Sequence, residues 1–290
     1  MSVVDTTTTT APFTVAPRRR GALGRQYASE IQLVFRRRRN LALLAALAVV
    51  PIVIGIAVDI STPRGGDGPQ FLSQITGNGV FLVFTALTVT VPFFLPLVIS
   101  VVAGDSIAGE AGGGTLRYLL TVPLSRSRLL AVKALGVATF TAAGIAVVAL
   151  SSLATGGILF GLHAVTLLSG DTVSLGNGLF RALLIAVFVA IAMFGLAAAG
   201  VFMSSLTENP LAAMAATLAI AVASAVLDAV PQLSGIHPGL LTDHWLDFGE
   251  LLRTSPDPGT LLRATGVHLA YVVVLGAAAW ARLVSKDITS

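Results

Sequence analysis

Gly109 to Gly114 is glycine-rich, and a glycine-rich turn can cradle a phosphate with its backbone N–H groups. The lysine that would reach the terminal phosphates is missing. No Gly-Lys-Ser/Thr follows, and the chain holds only two lysines, Lys133 and Lys286. Nucleotide hydrolysis is therefore not expected on this polypeptide. The four histidines, His163, His237, His244 and His268, show no paired ligand spacing, so no metal centre is expected. The chain has no cysteine, which removes disulfides and thiolate ligands. Its serines and acids form no recognisable triad in sequence. No catalytic residue is assigned.

The elements that must hold these residues follow from composition. Of 290 residues, 55% are hydrophobic and 11% charged, and the mean hydropathy is +0.88. Water-soluble domains carry about 25% charged residues. The apolar surplus is gathered in runs of about 20 residues without the alternation of barrel strands. The fold class is an all-α membrane protein with six transmembrane helices, near Leu41–Ile60, Gly79–Ala103, Ala134–Gly161, Leu179–Ser204, Leu211–Val230 and Ala264–Leu283. Residues 41–290 read as the six-span domain, and 1–40 as a cytoplasmic tail followed by an interfacial helix. Six crossings put both termini on one side. With that side cytoplasmic, 14 of the 18 Lys and Arg residues fall inside, against Arg64, Arg181, Arg253 and Arg263 outside. That is the positive-inside asymmetry. The pI of 10.1 is then topology, and no nucleic-acid partner is expected. Thr-rich Met1 to Pro17 lacks an early apolar core with a small-residue cleavage site and reads as a tail.

Several local patterns refine this layout. Tyr27, Ile31 and Val34 share one helical face and lead into Arg36 to Arg39, as an amphipathic interfacial helix would. Anionic headgroups would attract each of those arginines by about 1 kcal/mol. Pro92 and Pro96 predict a kink in the second span. Thr85 and Thr88, one turn apart beside it, either satisfy freed backbone groups or face a substrate path. Small residues recur at four-residue spacing in Gly195/Ala199, Ala212/Ala216 and Ala215/Ala219/Ala223, which supports close helix packing. Leu241, Trp245, Phe248 and Leu252 predict an amphipathic helix in or dipping into the outer leaflet. Asp59 and Asp228 fall at outer span ends, where water solvates them; release of a cationic substrate is the alternative role. With no acid or base buried mid-span, ion-coupled transport lacks its usual relay.

The polar connector from Gly104 to Lys133 carries its own helix signals. Gly112 to Gly114 break the incoming helix, Thr115 can cap a new one, Pro123 stops it, and Ser125 can cap the next. Leu116, Leu119 and Leu120 would form an apolar contact face, with Glu110 beside Arg117, Arg126 and Arg128. On residue physics alone this is either a docking helix or an amphipathic connector resting on lipid. The ordered set Asp105, Ala108-Gly109-Glu110, Gly114-Thr115-Leu116, Leu119-Leu120, Pro123, Ser125-Arg126 and Lys133 resembles the permeases of ABC-2 type ABC transporters.

That resemblance implies a cytoplasmic coupling helix between spans two and three that docks on a separate ABC ATPase subunit. Its coupling residues would be Glu110, Gly114, Thr115, Leu116, Arg117, Leu119, Leu120, Pro123 and Arg126. Thr85, Thr88, Pro92 and Pro96 would be candidates for the substrate path. No cofactor is expected on this chain, with ATP and magnesium held by the partner ATPase. The implied partners are those ATPase subunits, a second permease copy or close paralogue, and membrane lipid, in the plasma (inner) membrane. The expected function is ATP-driven export of a hydrophobic or amphipathic substrate such as a drug, antibiotic, lipid or peptide. An ion-coupled carrier and a non-transporting scaffold are the alternatives from other classes.

Overall fold

A computed structural model describes residues 22–61, 78–112, 126–167 and 169–285. Helix α1 spans Ala22–Arg36 and α2 spans Arg38–Ser61. The second span is divided into α3, Phe81–Thr90, and α4, Phe94–Gly112. Then come α5, Arg126–Leu159, α6, Leu175–Leu206, α7, Pro210–Asp228, and α8, Pro258–Ser285. Six of these, α2 and α4 to α8, are long and apolar enough to cross a membrane. A two-stranded antiparallel ribbon, β1 (Val165–Thr166) with β2 (Thr172–Val173), lies between α5 and α6.

The proline reading holds and goes further than a kink. Pro92 falls in the three-residue interruption between α3 and α4, and Pro96 falls in the first turn of α4, where a missing N–H costs least. Alone, α3 rises only about 15 Å, half a bilayer core. The α3–α4 pair therefore crosses as a broken helix.

Helices α5 and α6 form the centre. α6 packs against α8, α4, α5 and α7, while α5 packs against α2, α3, α1 and α4. Helix α4 is the most enclosed span, two thirds of its apolar window being buried, whereas α8 has 11% buried and presents its surface outward. At one end of the bundle Gly79 and Gly156 bring α3 and α5 into backbone contact: a Cβ on either would lie 2.2 Å from the other's carbonyl oxygen. Asn78 locks the same corner, donating to the carbonyls of His163 and Ala164 at 2.8 and 2.7 Å. Gly156→Val is expected to push these helices apart, at or beyond the upper end of the about 1–3 kcal/mol usual for overpacking. A lowered thermal midpoint in detergent checks this.

Two expectations are corrected. The stretch holding Leu241, Trp245, Phe248 and Leu252 is no α-helix on the membrane surface. It is a chain of turns and 3-10 segments, Pro231–Leu233, His237–Gly239 and Asp247–Leu252. All four side chains are buried, against α6 and α8. Pro238, Gly239 and Gly249 interrupt helical continuity, and the bundle, not lipid, receives the apolar face. On α7, Ala212, Ala215, Ala219 and Ala223 are exposed. The packed line is Ala213, Thr217, Ala221 and Ser224. At the start of α8, Asp257 caps the helix through Gly259 and Thr260. The Thr260 hydroxyl, with those backbone N–H groups, holds its carboxyl below the ordinary range.

Candidate functional site

The last turns of α4 carry two carboxylates, Asp105 and Glu110, both buried. A helix C-terminus is the negative end of the peptide dipole array, so neither acid stabilises its own helix there. Each needs a cation from another element. Arg37, at the joint between α1 and α2, and Arg39 both reach Asp105 Oδ2, the latter at 2.8 Å. Lys133 of α5, 3% exposed, stands between Glu110 and Glu30 of α1, its Nζ 2.8 Å from Glu30 Oε2. Three carboxylates and three cations thus form a neutral set of two ion-pair clusters that line one cavity. It ties α1 and its joint to α4 and α5.

Glycine makes room for both acids of this network that must bend toward it. A Cβ on Gly109 would fall 2.3 Å from Asp105 Oδ1, and one on Gly136 would fall 2.9 Å from Glu30 Cγ. Beside Lys133 a cavity of about 90 Å³ opens, with Gln26, Glu30 and Glu110 among its walls. Neighbouring contacts stiffen the same end. Ser204 of α6 inserts its hydroxyl into the α4 ladder. It donates to the Gly104 carbonyl at 2.7 Å and accepts from Ile107 and Ala108 N–H at 3.0 and 2.8 Å. The hydroxyl of Tyr27 lies 2.6 Å from Thr139 Oγ1, whose own hydrogen goes to the Leu135 carbonyl. The Phe35 ring packs on Phe140, centroids 5.5 Å apart.

Helix α1 is therefore docked on α5 by the face that Tyr27, Ile31 and Val34 mark. Of the arginine run, Arg37 and Arg39 are engaged by Asp105, so only Arg36 and Arg38 are left to headgroups. Glu110 is paired with Lys133 of α5, and Arg117 lies outside the described residues. Arg126 donates to the carbonyls of Leu283 and Val284 at 3.0 and 2.9 Å, closing the C-terminus of α8. Gly114, Thr115, Leu116, Arg117, Leu119, Leu120 and Pro123 lie outside the described residues. They belong to the stretch between α4 and α5, the two helices that the network clamps.

Sequence reasoning missed Glu30 altogether, named Asp105 and Lys133 only as members of the ordered pattern, and gave Arg37 and Arg39 to lipid headgroups. Sparse charge was the available signal: where only 11% of residues are charged, a charge next to a span needs a partner.

Along the broken span, Thr85 donates to the Phe81 carbonyl at 3.2 Å and Thr88 to that of Phe84 at 2.9 Å. These are not the carbonyls that the prolines release. Pro92 deprives Thr88 and Pro96 deprives Pro92 of the helical donor four residues on. Thr85 and Pro96 are buried; Thr88 and Pro92 are exposed, beside Phe93 and Phe94. The outward side of the break thus combines aromatic surface with two carbonyls that lose their usual helical N–H donor.

Residues 31–224 of the chain match the family described as ABC-2 family transporter protein. A 69-residue stretch is 41% identical to the probable ABC transporter permease protein NosY of Pseudomonas aeruginosa, covering 24% of this chain and 25% of that protein. The match thus spans about a quarter of that relative's length.

Proposed function

The chain belongs to the ABC-2 transporter family, and from that premise we propose that it is the permease subunit of an ATP-driven exporter. The arginine-bearing end of the bundle faces the cytoplasm, which the 14 cations assigned to that side support. Residues 113–125 form the contact with a separate ABC ATPase, presenting Leu116, Leu119 and Leu120, with ATP and magnesium held on that partner. A second permease copy completes the path, and the exposed small residues Ala212, Ala215, Ala219 and Ala223 of α7 fit such a helix contact.

The observation that carries this reading is the six-charge network at the roots of that segment. α4 enters and α5 leaves the proposed contact; α5 is fastened to α1 through Lys133 and Glu30, and α4 to α5 through Glu110 and to the α1–α2 joint through Asp105. A push on residues 113–125 therefore moves three elements together, not one loop. ATP-bound and ATP-free partners would favour different positions of this unit. The break between α3 and α4 fits the substrate path: in lipid, carbonyls without donors cost several kcal/mol each, whereas a water-lined passage satisfies them. Its exposed Phe93 and Phe94 suit a hydrophobic or amphipathic substrate.

Purification of the tagged chain from its host membrane is expected to bring down a soluble Walker-motif ATPase, whose hydrolysis rises on assembly. Reconstituted together, the pair should export substrate with ATP and without an ion gradient. Transport that needs no ATPase and stops with an uncoupler would assign the chain to the ion-coupled class instead.

A further inference from the structure

At the end of the bundle opposite the arginines, three side chains that the coupling scheme leaves unused converge. Asp228 closes α7, His237 opens the second 3-10 segment and Asp243 lies in the turns that follow. One ligand atom from each falls within 4.8 Å of the other two. Their spacing in sequence follows no ligand motif, which is why the histidine count alone pointed away from a metal. The folded connector brings them together.

The histidine is oriented from outside the set. His237 Nε2 is 3.1 Å from the Val230 carbonyl. A carbonyl can only accept, so Nε2 carries the hydrogen and the neutral ring keeps its lone pair on Nδ1. That atom faces Asp228 Oδ1 at 4.0 Å, too far for a hydrogen bond. Two ligands each about 2.1 Å from a tetrahedral ion stand about 3.4 Å apart, so a small side-chain rotation closes the set around one ion. On the other side, His244 Nε2 donates to the Pro238 carbonyl at 3.3 Å and passes 3.4 Å from Asp243 Oδ2. His244 is itself buried and held through Nδ1 by Asp247 at 2.7 Å. Histidine with its second nitrogen on a carbonyl, as in His237, is the outer-shell pattern of metal ligands.

Charge points the same way. Glu30, Asp105, Glu110 and Glu250 each have a lysine or arginine partner. Among the described residues Asp228 and Asp243 have none; their neighbours are histidines and each other. Two carboxylates and an imidazole nitrogen this close together offer a donor set for one cation. We propose that Asp228, His237 and Asp243 bind one divalent transition-metal ion of the zinc type, water completing its coordination. The imidazole selects against calcium and magnesium, which prefer oxygen alone. Bound there, the ion fastens the end of α7 to the connector that covers α6 and α8.

The test uses the full chain in detergent, stripped with a chelator. Calorimetry with Zn²⁺ and absorbance with Co²⁺ are expected to show one saturable ion per chain, with a rise in the thermal midpoint. His237→Gln, and Asp228→Asn with Asp243→Asn, should abolish both signals while matching wild type in elution and in metal-free melting. His244→Gln should weaken binding about 10–100-fold, and Asp257→Asn, at a separate helix cap, should leave it unchanged. Failure to bind Zn²⁺ or Co²⁺ saturably overturns the proposal and leaves a cluster of ion pairs. So does undiminished binding in the variants, or equal affinity for Mg²⁺ and Ca²⁺.

Discussion

Lys133→Met is expected to lower the stability of the folded chain by about 3–5 kcal/mol, the usual consequence of removing one partner from a buried ion pair. The Lys133 side chain is 4% exposed and those of Glu30 and Glu110 are 11% exposed, so the lost cation leaves two poorly solvated carboxylates. Two carboxylates from α1 and α4 would then face each other across α5 without compensation. The thermal midpoint in detergent should fall, and ATP-driven export in proteoliposomes should be lost with it. A second variant separates packing from coupling. Lys133→Met with Glu30→Gln and Glu110→Gln removes the charges as a set, and replacing a whole buried network by neutral groups is often close to neutral in stability. We expect this triple variant to regain most of the midpoint while hydrolysis stays uncoupled from export. Wild-type melting of the single variant would show that Lys133 makes no such ion pairs. Restored coupling in the triple variant would reduce the network to a packing role.

The six spans were legible because the bilayer imposes one rule on every segment: enough apolar length, with backbone groups satisfied internally. Pro92 and Pro96 were legible for a similar reason, since the loss of a backbone donor is local chemistry. Pairing of charges was not. Lys133 meets a glutamate 103 residues before it and another 23 residues before it, and nothing in the arginine run says that alternate members turn to Asp105. Alanine-rich α7 defeated the small-residue argument differently: several faces look alike, so periodicity could not choose Ala213, Thr217 and Ala221 over Ala212 and Ala216. For Leu241 to Leu252 the buried face was read correctly, but its spacing also suits successive turns, and the glycines and proline decided in their favour. At Asp228, His237 and Asp243 a family pattern offers no help, because the three meet only after the connector folds back.

Leu116→Asp is expected to weaken association with the ATPase about 30-fold or more, the loss of at least about 2 kcal/mol that marks a central apolar contact. It places a charge at the centre of the proposed leucine face and leaves Asp105, Glu110 and Lys133 unchanged. The bundle should therefore insert and melt as wild type does, with hydrolysis no longer stimulated and export no longer driven. Glu110→Arg is expected to behave differently, because Glu110 contacts Lys133 and its replacement sets cation against cation in a buried place. That variant should lose both melting temperature and coupling. The contrast between the two isolates the contact from its support: one breaks the docking surface, the other the struts behind it. If Leu116→Asp retained the ATPase through purification and exported normally, residues 113–125 would not be where the motor pushes. The network would then stiffen that end of the bundle without transmitting force through it.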